Sequence, residues 1–261
     1  MSYNIYMNTS LNWELAAGYK SPAQIAKVLT EGWVESHAYC PACASPLEKL
    51  KANTPVGDFA CPKCQEEYEL KSKKDIFSKK IVDGAWSEMD KKVSAGLSPN
   101  FFLLNYQLRD KSVQNFFVVP KHFLIPGLIE KRKPLAATAR RAGWVGCNIL
   151  LTGIPQAGRI YYIRDGRGEK QEEVLKNWEK TLFLRDQTVP EQRGWTLSVM
   201  SCVDKLSKKD FSLDEVYAFE NILTQKFPNN KHVKDKIRQQ LQILRDKGYL
   251  EFIGKGRYRI L

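Results

Sequence analysis

The chain has 261 residues, 43% hydrophobic and 27% charged, with a mean hydropathy of −0.42 and a net charge of +12 at pH 7. That length carries one large domain or two of unequal size, and no stretch approaches the roughly 18 apolar residues of a membrane span. Residues 1–12 lack a basic segment followed by an apolar core, so no secretory signal is read and a cytoplasmic protein is expected. The positive surplus favours a polyanionic partner, most commonly nucleic acid.

In chain order, a helix is predicted over 19–37: Ser21 caps it, Pro22 takes its first position, and Ile25, Val28, Leu29 and Trp33 recur at helical spacing. Two short strands are read over 56–60 and 66–72, and a second helix over 81–94. The apolar, aromatic runs 101–106 and 116–119 read as buried strands. Residues 126–148 have basic residues, glycines and no clean period, and read as a long functional loop holding Arg140, Arg141 and Trp144. A groove-facing loop is preferred for Trp144 over a buried core position. A strand over 160–163 and a helix over 169–183 follow, and the polar stretch 185–193 reads as a linker. The order predicts an α/β domain on a mixed sheet over 1–185.

Residues 186–261 carry a different outline. Helices over 195–206, 212–226 and 231–247 precede two strands around Gly254-Lys255-Gly256, which is the pattern of a winged helix-turn-helix. In the third helix Val233, Ile237, Leu241 and Leu244 share one face. Lys234, Arg238 and Arg245 lie on another, beside Gln239 and Gln242. Residues 228–261 hold nine Lys or Arg and three Asp or Glu, so half of the surplus charge sits there. A basic, amide-rich helix and a wing bearing Lys255 and Arg257 suit duplex DNA, since Arg and Lys neutralise phosphates and Gln pairs with adenine edges.

Four of the six cysteines form two pairs, Cys40-x2-Cys43 and Cys61-x2-Cys64. This spacing predicts a structural zinc site with four thiolates and no open position. His37 is left out of the ligand set, and Cys147 and Cys202 read as buried free thiols. Between and after the pairs stand Asp58 and Glu69-Leu70-Lys71. Glu69 and Lys71 are two apart on a strand and share a face. Asp58 and Glu69 offer hard oxygens suited to Mg²⁺, and Lys71 is placed to orient a water or offset charge on a phosphate. Solvated strand charges produce the same pattern in many chains; the hairpin setting and the lysine-rich stretch 71–80 favour the catalytic reading.

The strings YCPAC (39–43), PVGDFACPKCQEEYELKSKK (55–74), KPLAATARRAGWVGCNI (133–149) and KIRQQLQILRDK (236–247) resemble the Dpn-type methyl-directed restriction endonucleases. The resemblance runs from about Tyr19 to the C-terminus. It implies a PD-(D/E)xK nuclease core with a four-cysteine zinc site and a C-terminal winged helix. It also implies a type II site-specific deoxyribonuclease, Mg²⁺-dependent, that cuts duplex GATC carrying N6-methyladenine; apart from the resemblance, a monomer is expected. Carried onto this chain, the metal-binding acids are Asp58 and Glu69, the catalytic lysine is Lys71, and the zinc ligands are Cys40, Cys43, Cys61 and Cys64. Trp144 matches a DNA-contacting tryptophan. The family has Ala at the position of Gly57 and Pro at that of Ala137. Two other readings stay open: a nuclease indifferent to methylation, and a winged-helix regulator that does not cut.

Overall fold

The computed structural model describes residues 7–51 and 57–261. Helix α1 (Pro22–His37) starts on Pro22, whose fixed φ and missing N–H suit a first helical position, and buries Leu29, Trp33 and Val34. Strands β1 (Glu48–Lys49), β2 (Phe59–Ala60) and β3 (Glu67–Lys74) follow. The first strand predicted here shrinks to two residues, and its Val56 lies outside the described residues.

The helix expected over 81–94 is corrected. Strand β4 (Lys80–Ala85) takes its first half and helix α2 (Trp86–Ser94) the rest. Ile81 and Val82 are β-branched and Gly84 is a poor helix residue, so this half is extended and pairs with β8 (Gly146–Leu150), Ile81 opposite Ile149 and Asp83 opposite Cys147. The remaining strands of this part are β5 (Asn100–Gln107), β6 (Ser112–Val119), β7 (Ile129–Lys131), β9 (Ile160–Arg164) and β10 (Arg167–Gly168), followed by helix α3 (Gln171–Glu179).

Seven strands form one mixed sheet in the order β1-β2-β3-β5-β6-β9-β10, with β3 and β5 parallel and the other pairs antiparallel. A second sheet, β4-β8-β7, stands apart from it. The central strand β5 is buried on both faces, and alternation divides its side chains. Phe102 and Leu104 join Phe116, Val118 and Tyr162 under α1 and α3. Phe101 and Leu103 join Phe117 and Val119 in the opposite core.

That second core continues into the C-terminal part, where Trp195, Leu197, Ile237, Leu241 and Leu244 belong to the same buried cluster. This part consists of helix α4 (Pro190–Lys205), strand β11 (Asp210–Ser212), helices α5 (Leu213–Tyr217), α6 (Glu220–Lys226) and α7 (Val233–Asp246), and strands β12 (Leu250–Gly254) and β13 (Arg257–Ile260). The strands form a third sheet, β11-β13-β12. The single helix predicted over 212–226 is two helices, the first held by a capping box between Ser212 and Glu215. The stretch expected as a linker is mostly structured. A 3₁₀ turn spans Leu182–Arg185, and Pro190 is the first residue of α4. Thr196 Oγ1 donates to buried Gln240 Oε1 at 2.6 Å and ties α4 to α7. No helix among the described residues is long and apolar enough to cross a membrane.

Ile237 is fully buried where α7 meets the shared core. Ile237→Ala is expected to cost about 2–5 kcal/mol, measured as a fall in unfolding free energy in urea.

Candidate active site and nucleic-acid interface

The antiparallel pair β2–β3 sets Phe59 opposite Tyr68 and Ala60 opposite Glu67. Asp58, one residue before β2, is drawn into the same register. Its N–H donates to the Tyr68 carbonyl at 2.9 Å, and its carboxylate Oδ2 accepts the Leu70 N–H at 2.8 Å. Gly57 permits this approach, because a Cβ there would sit 2.8 Å from the Tyr68 carbonyl oxygen and φ is +148°. On β3, Tyr68 points into the core under α1, so Glu69 and Lys71 point to the other side. Lys71 Nζ donates to Glu69 Oε1 at 2.5 Å. The structure thus brings Asp58, Glu69 and Lys71 together at one end of the strand pair.

A fourth residue belongs with them and was missed from sequence. Asp83, on β4, accepts from Lys71 Nζ through Oδ1 at 2.5 Å, and its side chain is 6% exposed. It escaped notice because a helix assignment over 81–94 gives Asp83 no relation to β3; alternation on a strand would have turned it to the face opposite exposed Val82. Burial opposes the charge on Lys71, but Glu69 and Asp83 outweigh it and hold the ammonium's pKa above that of an ordinary lysine. Burial raises the Glu69 carboxyl, an effect that Asp83 and Asp58 reinforce and Lys71 offsets. Cys147, opposite Asp83, is fully buried, and burial pushes its thiol up to about 11. Cys202 is buried as well.

The cysteine pairs form two matching turns. Ala44 N–H bonds to the Cys40 carbonyl and Gln65 N–H to that of Cys61, with Ala44 and Gln65 both in the left-handed region. The four Sγ atoms all lie within 4.8 Å of one another, with separations of 3.4 Å (Cys40–Cys64), 3.5 Å (Cys43–Cys61) and 3.8 Å (Cys43–Cys64). Four sulfurs at about 2.3 Å around a tetrahedral ion lie about 3.8 Å apart, so the cluster fits a metal such as zinc. Among the described residues it is the one group of three or more such ligands gathered this tightly; Asp58, Glu69 and Asp83 are not. His37 stacks on Trp33 and bonds to its carbonyl, and it is not part of the sulfur cluster.

Two basic surfaces complete the picture. The segment 132–145 links β7 to β8, with the Leu135 N–H bonded to the Trp144 carbonyl. Arg140 and Arg141 are exposed, while Trp144 is half-buried. The Trp144 ring rests on Gly146, where a Cβ would come within 2.7 Å of it, and carries the Arg141 guanidinium 4.7 Å from its centroid. On α7, Val233, Ile237, Leu241 and Leu244 are buried, and Lys234, Arg238, Gln239, Gln242 and Arg245 are exposed. Lys234 pairs with Glu220 at 3.4 Å, and Arg245 with Asp246 at 2.7 Å. Lys255 and Arg257 are exposed on the β12–β13 wing.

Residues 7–187 match the model of the Dam-replacing family, and residues 191–260 match that of the Dam-replacing helix-turn-helix domain. The chain belongs to the Dam-replacing (DpnI) family. As a member it is a DpnI-like, methyl-directed restriction enzyme with a mixed α/β core and a C-terminal DNA-binding helix-turn-helix domain, and DNA is its partner. The family match spans both the cysteine cluster and the Asp58–Lys71 hairpin.

Asp83→Asn removes one of the two carboxylates that raise Lys71. The Lys71 ammonium is therefore expected to titrate at lower pH than in the parent protein, read from lysine side-chain NMR. An unchanged titration would show that Asp83 does not act on Lys71 electrostatically.

Proposed function

We propose that this protein makes double-strand breaks in DNA at GATC sites whose adenine carries an N6-methyl group, by metal-assisted hydrolysis of the phosphodiester. The observation that carries the reading is Asp58 set beside Glu69-Leu70-Lys71 across one strand pair, in a chain of this family. Asp58 and Glu69 would hold Mg²⁺. Asp58 commits one carboxylate oxygen to Leu70 N–H, which fixes the group and leaves the other oxygen free. Two carboxylates suit an ion that keeps several waters and takes phosphate oxygens as further ligands. When bound, the ion supplies polarisation of the scissile phosphate and acidification of a water.

Lys71 acts as a cation in this scheme. Glu69 and Asp83 favour its ammonium form, which suits stabilisation of charge on the phosphate better than proton abstraction. Asp83 is then a positioning residue, holding Nζ from the neighbouring sheet. The cysteine quartet is proposed as a structural Zn²⁺ site that fixes the β2–β3 register. The nuclease unit is placed over 1–185 and the winged helix over 186–261, and the protein is proposed to act as a monomer.

Methyl reading needs more than one contact. Burying one methyl is worth about 0.8 kcal/mol, about a fourfold preference, and two methyls give about fifteenfold. The proposal therefore assigns reading to two surfaces, Arg140, Arg141 and Trp144 on the β7–β8 loop, and Lys234, Arg238, Gln239 and Gln242 on α7 with Lys255 and Arg257 of the wing.

Matched plasmids from adenine-methylating and non-methylating hosts test the activity. Fragmentation of the methylated plasmid alone, with Mg²⁺ and not with chelator, is expected. Equal cutting of both plasmids would leave a methylation-indifferent nuclease, and no cutting of either would leave a DNA-binding regulator. Lys71→Ala is expected to lower the cleavage rate about 10²–10⁴-fold with DNA affinity retained. Strong chelation is expected to act in two phases, a fast loss that Mg²⁺ restores and a slow one that requires Zn²⁺. Full recovery by Mg²⁺ of protein verified as zinc-free would remove the zinc site from the catalytic argument.

A further inference from the structure

A cavity of about 300 Å³ lies where the seven-stranded sheet meets the start of the winged helix, lined by Lys121, His122, Arg185 and Arg193. Arg193, on the first turns of α4, is 7% exposed, yet its buried Nε has no hydrogen-bond partner among the described residues. A buried guanidinium donor without an acceptor is costly unless something supplies the missing one. Arg185 adds a second open donor. Its Nη1 bonds to Glu66 at 2.9 Å and its Nε approaches His122 Nδ1 at 3.4 Å, but its buried Nη2 has no partner.

The surroundings hold these donors in place. His122 is 2% exposed, and its Nε2 bonds to Thr181 Oγ1 at 2.8 Å, which in turn donates to the Trp178 carbonyl at 2.8 Å. Burial, together with Arg185, Arg193 and Lys121, keeps this imidazole neutral, so its Nδ1 is free to accept from Arg185. The charge does not balance locally. Glu66, the one carboxylate paired with these cations, is 3.4 Å from Lys121 and 2.9 Å from Arg185, and Arg193 has no such pair. The cavity is also lined by Ser94, the last residue of α2, and by Ala95 and Gly96 just past it, and this helix C-terminus adds about half a negative charge. Roughly half of the positive charge is left unmatched.

We infer that this cavity binds a phosphate group, held by Arg193, Arg185 and Lys121. A tetrahedral oxyanion supplies several acceptors at once and suits forked guanidinium donors. Two sources share this chemistry, a backbone phosphate of bound DNA and a free phosphate anion. Because the cavity is built from both the sheet side (Lys121, His122) and α4 (Arg193), an occupant would bridge the two.

The test uses full-length protein without added divalent metal, so it does not depend on cleavage or on the residues proposed to cut. Parent, Arg193→Met and Lys121→Gln are compared; the Lys121 side chain is 33% exposed, so its variant carries the comparison if Arg193→Met fails to fold. In one arm, unfolding midpoints are measured in sodium phosphate and in sodium chloride of equal ionic strength. In the other, affinity for an unmethylated duplex is followed against salt. A midpoint that climbs with phosphate in the parent and not in the variants, with DNA binding unaltered, assigns a free anion. A variant affinity lower by roughly tenfold, with a salt slope shallower by about 0.9, assigns a DNA phosphate. Variants indistinguishable from the parent in both arms would overturn the inference and leave Arg193 as a strut.

Discussion

The pairing of two residues, Phe59 and Ala60, with Tyr68 and Glu67 governs where Asp58, Glu69 and Lys71 sit. A strand pair that short has little register preference of its own. Its register is imposed from both ends. The Cys61–Cys64 turn closes one end, with the Cys61 N–H bonded to the Glu66 carbonyl. At the other, Asp58 bonds through its backbone to Tyr68 and through its carboxylate to Leu70. Tyr68 then joins the two ends, since its hydroxyl lies 3.1 Å from Cys40 Sγ and its ring stacks on Phe102. A slip of one residue would turn Glu69 and Lys71 into the core under α1 and Tyr68 out of it. The cysteine cluster and the acidic site are therefore one structural problem, solved by one register.

Lys71 makes the electrostatics of that site consistent. Glu69 and Asp83 on their own would be two carboxylates facing each other in a half-buried setting, where burial already disfavours the Glu69 charge. A single ammonium between them removes the repulsion at the cost of its own desolvation. Asp83 belongs to the β4-β8-β7 sheet, whereas Glu69 and Lys71 belong to the large one. The contact is thus a polar bond across two sheets. The small sheet also carries the loop with Arg140, Arg141 and Trp144 between its strands β7 and β8.

The parts of this arrangement legible in the sequence were those fixed by local periodicity. The i, i+2 relation of Glu69 and Lys71, the two matched CxxC turns, and the buried stripe Val233, Ile237, Leu241 and Leu244 follow from strand or helix geometry alone. What escaped depended on partners far along the chain. Residues 81–85 can be threaded on a helix with Met89 and Val93, and only the presence of β8 makes them a strand. The polar character of 185–193 hid Arg193, which is buried because the residues around it pack into the shared core. A tally of hydropathy marks such residues as solvent-facing, since arginine is rarely buried without a partner.

On the proposed reading, the shared core bears on how two DNA-reading surfaces act on one active site. Trp195, Leu197 and Ile237 pack into the same cluster as Phe101 and Phe117, so the winged helix is seated by apolar contact on the face of the large sheet that carries Glu69 and Lys71, and is not merely tethered to it. Lys71 Nζ itself lies over the Phe101 ring, 5.9 Å from its centroid. On the proposed reading, a methyl group contributes about fourfold discrimination at one surface, and independent surfaces would only multiply such factors. A stricter dependence requires coupling, in which correct seating at one surface changes the geometry at the other. On that reading, such coupling would have to pass through the buried cluster that α7 shares with Phe101, or through the β4–β8 pairing that joins the loop's strand to Asp83. Both reach a residue in contact with Lys71, Phe101 in the first case and Asp83 in the second.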